Sequence, residues 1–290
     1  MMMDSYLHPD VHDGPSSARP GGLGRNRICA SAEIVAVTGS DGVTRLPVLS
    51  SQVPLVVRRT PDAVYVVGGA AGPIGGDELA LRISVGAGAF LRVRTAAASI
   101  ALPGPDGLES VLRVTVDVGA GARLEYLPEP VVVSAGARHA TIIRVALAEG
   151  ASLLLRDELL LGRHGEAGGI SRTELQVSYG GRPLLRQSLE VSGTDRADLG
   201  PAVLAGHRGV GTLLQVGPAI GTRPAGAVEP ATAGAGQPDV AAGAGSATVA
   251  VTGGQATVAV MPLAGPGILV TAIADDAVTL RRRLSASLTC

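Results

Sequence analysis

An all-β fold of repeated strand-turn-strand units is what this chain of 290 residues predicts, on two observations. The phrase Gly-Ala-x-Leu occurs three times, as Gly88-Ala89-Phe90-Leu91, Gly121-Ala122-Arg123-Leu124 and Gly150-Ala151-Ser152-Leu153. Each copy follows an alternating apolar run: Leu79, Leu81, Ile83, Val85; then Leu112, Val114, Val116, Val118; then Ile143, Val145, Leu147. A period of two belongs to a strand with one buried face, and a helix does not alternate this way. The three glycines are 33 and 29 residues apart, a spacing at which repeats usually mean stacked supersecondary units. After each turn the alternation resumes, at Leu91 and Val93, Leu124 and Tyr126, Leu153 and Leu155. One unit therefore cannot cover its own apolar face and needs its neighbours. A β-helix-like winding satisfies this pattern. Packed hairpins satisfy it too, and in a Gly- and Ala-rich chain short turns also recur without meaning.

The elements read as follows. Residues 1–24 are rich in Pro, Gly, Ser and Asp and read as a disordered tail; His8, Asp10, His12 and Asp13 lie there without a fixed geometry for a metal. The tail has no apolar core segment of a secretory signal, no run reaches the length of a membrane span, and cytoplasm is the expected compartment. Residues 25–290 are expected to form a single all-β scaffold domain. Asp41-Gly42, between Val35/Val37 and Leu46/Val48, is a hairpin signal. Val53 to Val57 and Ala63 to Val67 read as short strands around a Pro61-Asp62 turn. The glycine-rich stretch 68–77 lacks the lysine of a phosphate-binding loop and leads into a strand at Asp77.

Beyond the repeats, residues 158–166 read as a change from strand to charged loop, and Gly180-Gly181 as another hairpin turn. The segment 221–246 collapses to Ala, Gly, Pro and Thr and reads as a flexible linker, since it buries too little to offset its ordering entropy. A last β pair at 247–251 and 255–261 precedes a strand at 268–273. Then the period changes. Asp275 or Asp276 suits an N-cap, Ala277, Leu280, Leu284 and Leu288 share a helical face, and Arg281, Arg282 and Arg283 suit the helix C-terminus. These arginines read as a solvated helix end or as a contact for an acidic partner.

Composition narrows function. A net charge of −1 argues against a broad surface for nucleic acid or an anionic membrane. Cys29 and Cys290 give neither a disulfide framework nor a metal-binding pair. The histidines at 8, 12, 139, 164 and 207 are scattered, and no motif of a hydrolase elbow, zinc protease or calcium loop is present. An all-β enzyme acting on carbohydrate is the competing reading; it wants a carboxylate pair and stacking aromatics, and the chain has four Tyr, one Phe and no Trp.

The string Leu124-Glu125-Tyr126-Leu127-Pro128-Glu129-Pro130, after Gly121-Ala122 and before Ala135-Gly136-Ala137, resembles the urease accessory protein family called UreD or UreH, in an actinobacterial-like form. The resemblance continues through Gly75-Gly76-Asp77, Glu149 to Leu153, Gly162-Arg163-His164-Gly165-Glu166, Gly181 to Leu185 and the terminal Asp275-Asp276-Ala277. It covers about residues 45–189 and the last twenty. Where many family members carry a Thr-Gln-Ala-Ala-Thr-Lys type of segment, this chain has Arg94 to Ile100 without the glutamine and lysine.

The resemblance implies a non-enzymatic chaperone with a β-helix-like fold, binding apo-urease and the accessory proteins UreF and UreG, the latter a GTPase, so that nickel reaches urease for metallocentre assembly. It implies no tightly bound cofactor, with nickel(II) only in transit through an internal tunnel. Such a route wants carboxylates and water rather than a closed cage of strong ligands, which would trap the ion. Asp77, Glu125, Glu158 and Glu166 are the acidic residues within the matching motifs. Each has a plainer reading: Asp77 capping its glycine-rich loop, Glu125 on an outer sheet face, Glu158 in an ion pair, Glu166 stabilising a loop. His164 reads as a loop residue.

Overall fold

A computed structural model describes residues 27–217, 248–252 and 255–286. The tail at 1–24, the segment 221–246, Leu288 and Cys290 lie outside the described residues. The repeats build a coil. Strands β5 (Glu78–Val85), β8 (Ser110–Val118), β11 (Arg138–Leu147) and β13 (Ile170–Tyr179) are parallel neighbours in one sheet. Strands β6 (Phe90–Thr95), β9 (Arg123–Leu127) and β12 (Ser152–Leu161) are parallel neighbours in a second. The chain visits the sheets alternately, and two short strands, β7 (Ser99–Ala101) and β10 (Val131–Val133), pair in parallel with each other and with the end of β12. The expected β-helix-like winding is therefore present, with hairpins at its ends.

One turn repeats at the corner. The Ala89, Ala122 and Ala151 amides donate to the carbonyls of Gly86, Gly119 and Ala148, closing three equivalent turns. The third residue of each, Gly88, Gly121 or Gly150, has φ of 67°, 65° or 77°, which an L side chain resists. The following alanines are buried beneath the corner. In-register stacking then aligns the inward residues: Leu81, Val114, Ile143 and Leu175 in one row, Ile83, Val116, Val145 and Val177 in the next. They face Leu91, Leu124 and Leu153, and Val93, Tyr126 and Leu155, across the core. Each fully buried Leu or Val in it contributes about 1.5–3 kcal/mol.

Further strands extend both sheets and end each in antiparallel pairs. The first gains β1 (Cys29–Thr38) with β2 (Thr44–Ser51) at one edge and β14 (Arg182–Ser192) at the other. Gly180 and Gly181 both have positive φ, as the two-residue turn into β14 requires. The second gains β4 (Val64–Gly68) and β3 (Leu55–Arg59) at one side, and β15 (Gly209–Val216), β18 (Gly267–Ala274), β17 (Gln255–Pro262) and β16 (Thr248–Thr252) at the other. Strand β3 starts at Leu55 rather than Val53, beyond the cis Val53–Pro54 bond.

Helix α1 (Ala277–Ala286) starts as expected. Asp276 Oδ1 accepts the Thr279 amide at 2.9 Å, and Leu280 and Leu284 are buried against β15 and β18, on the outer face of the second sheet. The three arginines do not share one fate. Arg282 is exposed, Arg281 is held in ion pairs, and Arg283 donates to the Ile273 carbonyl. The expected loop from Glu158 is also displaced, because β12 runs to Leu161. Its inward residues continue as Leu153, Leu155, Asp157, Leu159 and Leu161, and Asp157-Glu158 interrupts only the apolar composition.

Candidate functional site

The four carboxylates proposed from the sequence occupy three separate places. Asp77 is 4% exposed and ties the start of β5 to its loop: Oδ1 accepts the Ile28 amide at 3.1 Å and Oδ2 the Ile74 amide at 2.8 Å. Glu166 lies in the exposed loop after β12. Its oxygens accept from Arg163 Nε at 2.8 Å and Nη2 at 3.0 Å, and from the Arg163 and Ala135 amides. The Arg163 guanidinium holds the Glu166 carboxyl down at about 2. His164 beside it is exposed.

Glu125 and Glu158 lie on the outer face of the second sheet. Glu125 Oε2 receives Arg92 Nε at 3.0 Å and Arg94 Nη2 at 2.9 Å, with Arg123 Nη2 3.8 Å from Oε1. The Phe90 ring lies beneath the Arg92 and Arg123 guanidiniums, at 4.9 and 5.3 Å. Such stacking fixes arginines that would otherwise be mobile. Glu158, wholly buried, is 3.1 Å from Arg156 Nε and 2.7 Å from Arg281 Nη2. Arg281 is shared with Glu129, at 3.1 and 3.0 Å. Two arginines and two glutamates thus tie α1 to β12 and to the Pro128-Glu129 segment, whose Pro128 carbonyl accepts Arg156 Nη2 at 2.9 Å.

Sequence reasoning passed over two inward-facing titratable groups. Asp157 pairs across the ladder with Thr212 and, by alternation, shares the inner face with Leu155 and Leu159. Burial, assisted by the neighbouring Glu158 charge, pushes its carboxyl up to about 6. Beside it, a cavity of about 20 Å³, the size of one water molecule, is lined also by Thr173, Gln187 and Thr212, and Gln187 Oε1 has no hydrogen-bond partner. The second group is His139. Burial pulls its imidazole down to about 4, so it is neutral. Nδ1 is 2.9 Å from Ser110 Oγ and Nε2 3.3 Å from Thr141 Oγ1. This buried serine-histidine contact has no carboxylate to orient the ring as a nucleophile's base requires. Alternation was the available signal for both, since Asp157 and His139 sit in the inward register of apolar neighbours.

His139 also borders the larger of these cavities, about 530 Å³, walled by Pro54, Leu55, Val66, Pro73, Leu102 and Val131 and reached by Arg163. Asp77 and Glu166 stand near its rim, through Gly72-Pro73 and Arg163 respectively. Among the described residues no group of three or more His, Cys, Asp or Glu side chains converges as a metal site. The four carboxylates are dispersed, with Asp77 and Glu166 near the rim of this cavity and Glu125 and Glu158 on the outer face of the second sheet.

Comparison with known proteins is decisive for the family. A family model described as UreD urease accessory protein matches residues 27–290. The chain belongs to the UreD family. It is 40% identical over 285 residues to a urease accessory protein UreD of Parafrankia sp. (strain EAN1pec), covering 90% of this chain and 88% of that one. A UreD of Frankia alni is 40% identical over 317 residues, covering 96% and 98%. Urease accessory protein UreD 3 of Streptomyces griseus is 44% identical over 257 residues, covering 85% and 90%. The actinobacterial character inferred from the motifs agrees with these relatives, and the motifs quoted from Gly75 to Leu185 all lie within the matched span. The UreD fold carries no helix among the described residues that is long and apolar enough to cross a membrane.

Proposed function

We propose that this chain acts as a cytoplasmic, non-enzymatic chaperone that binds apo-urease, UreF and UreG and lets nickel(II) pass to the urease centre. The UreD match across residues 27–290 carries this reading. The architecture supports it: a stiff coil with long outer faces suits several partners, and dispersed carboxylates suit an ion that must leave again. Nickel here is cargo, and no bound cofactor is part of the proposal. The proposed route follows the 530 Å³ cavity past Asp77 and Glu166. Glu125, Glu158 and Glu166 are engaged by arginines and Asp77 by two backbone amides, so a route touching any of them requires a partner to yield its carboxylate to the ion.

The test is co-purification of the tagged chain with UreF, UreG and the urease subunits, followed by nickel analysis of the urease. A stable complex, with nickel-loaded urease that disappears when this chain is omitted, is the expected result. Urease that fills normally without it overturns the scaffold role. Within a confirmed complex, Glu166→Gln and Asp77→Asn are expected to lower urease nickel content. Normal nickel in both variants removes those residues from the route and leaves the scaffold role standing.

A further inference from the structure

Among the described residues no element covers the outer face of the seven-stranded sheet, since α1 packs on the other sheet. One cross-strand row on that face reads Glu33, Arg82, Thr115, Arg144, Gln176, Arg186, each residue registered with the next from β1 through β5, β8, β11 and β13 to β14. The row is not a random charge run. Like charges directly opposite are destabilising, and Thr115 and Gln176 separate the arginines so that none faces another. Neighbouring strands are about 4.8 Å apart, so Arg82, Arg144 and Arg186 recur at about 10 Å.

Their charges are largely uncompensated. Arg82 reaches Asp117 only at 4.0 Å, with both side chains more than half exposed. Arg144 and Arg186 are exposed, make no ion pair among the described residues, and flank a depression of about 250 Å³ floored by Thr115, Gln176 and Ser178. Arg113, two residues from the row on β8 and on the same face, is exposed and likewise without an ion pair among the described residues. Other arginines on the outer faces are neutralised, as around Glu125, Glu158 and Glu174.

We propose that this row docks an acidic α-helix of a partner protein, laid across the strands with carboxylates seven residues apart. A helix rises 1.5 Å per residue, so positions i, i+7 and i+14 lie on one face at about 10.5 Å intervals, matching the arginine period. An extended chain does not match it, because its same-face residues recur at about 6.8 or 13.6 Å. Arginine suits the role because its planar fork binds a carboxylate through two parallel hydrogen bonds. The small and polar residues between the arginines leave the face flat enough for a helix to approach. The inference stands on this charge pattern alone and does not depend on what the accessory complex carries.

The test is fluorescence anisotropy with labelled synthetic helices added to the full chain. One peptide carries Glu at heptad spacing, and a second has the same composition with Glu every five residues. The heptad peptide is expected to bind more tightly, and more weakly as salt is raised. Arg144→Glu and Arg186→Glu are each expected to weaken it about fivefold or more. Arg59→Glu, an equal charge change on the exposed part of β3, is expected to leave it within about twofold. Three results overturn the proposal: no binding of the heptad peptide, equal losses at Arg59 and Arg144, or equally tight binding of a single-stranded oligonucleotide of the same net charge.

Discussion

Arg281 on the C-terminal helix meets Glu158 on β12 at 2.7 Å across 123 residues of sequence, and the Glu158 side chain is entirely buried. The pair explains why a short helix stays on an otherwise all-β body. Leu280 and Leu284 supply apolar contact, while Arg281 supplies orientation, because its guanidinium must reach both Glu158 and Glu129 at once.

Glu158→Ala should therefore do more than remove one contact. It leaves Arg156 and Arg281 facing each other over a buried gap, and breaking a buried pair in this way costs about 3 kcal/mol, taken low because Arg281 is partly exposed. For a chain of this size the thermal midpoint should fall by about 6–12 °C. Amides of α1 should exchange with solvent earlier than those of β8 or β11. A midpoint within about 1 °C of the parent would show that the helix is held by its leucines alone.

The repeated corner gives a second prediction, in which two glycines of one turn respond differently. Gly121 has φ of 65° with nothing near its missing side chain, so Gly121→Ala carries only conformational strain, about 1–2 kcal/mol. At Gly119 an added Cβ would lie 2.7 Å from the Ala87 amide nitrogen of the adjacent coil. Relief requires the coils to move apart, and overpacking of this kind costs about 2–3 kcal/mol or more. Denaturant titrations of both variants should rank Gly119→Ala as the more damaging. The reverse order would mean that the turns are not stacked as described.

The same corner shows why much of the fold was legible in the sequence. A turn with positive φ at its third residue demands glycine, the buried position after it demands a small residue, and the next inward position demands Leu, so geometry writes itself as Gly-Ala-x-Leu. The helix was legible from Asp276 and the spacing of Leu280 and Leu284. What could not be read was which distant elements close over a residue. Glu125 has the alternation of an outer-face residue and is on that face, yet two arginines of the neighbouring β6 and one of its own strand bury it. Glu158 looked like the start of a loop because Asp157-Glu158 broke the apolar run. Only the packing of β15 and α1 on β12 turns that break into a buried clamp. The UreD family was legible because several of its motifs, such as Gly75-Gly76-Asp77 and Glu149 to Leu153, fall at corners and loops of the coil, while Leu124 to Leu127 runs along β9.

His139 supplies a pH-dependent prediction. Its folded value of about 4 lies below the ordinary 6.5, so between these values the unfolded chain binds the extra proton. Stability falls as pH drops from 6.5 to 4, by up to about 3 kcal/mol, and is unaffected by this group above 6.5. His139→Gln keeps hydrogen-bonding capacity toward Ser110 and Thr141 without the titration. Relative to the parent it should gain stability on acidification, read as a urea midpoint that rises against the parent's between pH 7 and pH 4. An unchanged difference between the two would place His139 in contact with bulk water.

Asp157 works in the opposite sense and nearly hides the effect of His139 in the parent. Its folded value of about 6 lies above the ordinary 3.8, so the folded chain holds the proton more tightly. Stability falls as pH rises from 3.8 to 6, by up to about 3 kcal/mol, an upper bound given the water-sized cavity beside the carboxyl. Asp157→Asn removes the ionisation while keeping shape. The variant should match the parent near pH 4 and exceed it at pH 7, a stabilisation produced by deleting a charge. It follows that the two single variants should show urea midpoints with opposite pH slopes relative to the parent, and that the double variant should restore a nearly flat profile. If Asp157→Asn is destabilised at pH 7 instead, the ionised carboxylate is doing useful work in the interior, and the small polar cavity with the unpartnered Gln187 oxygen would then be the place to search for the group it holds.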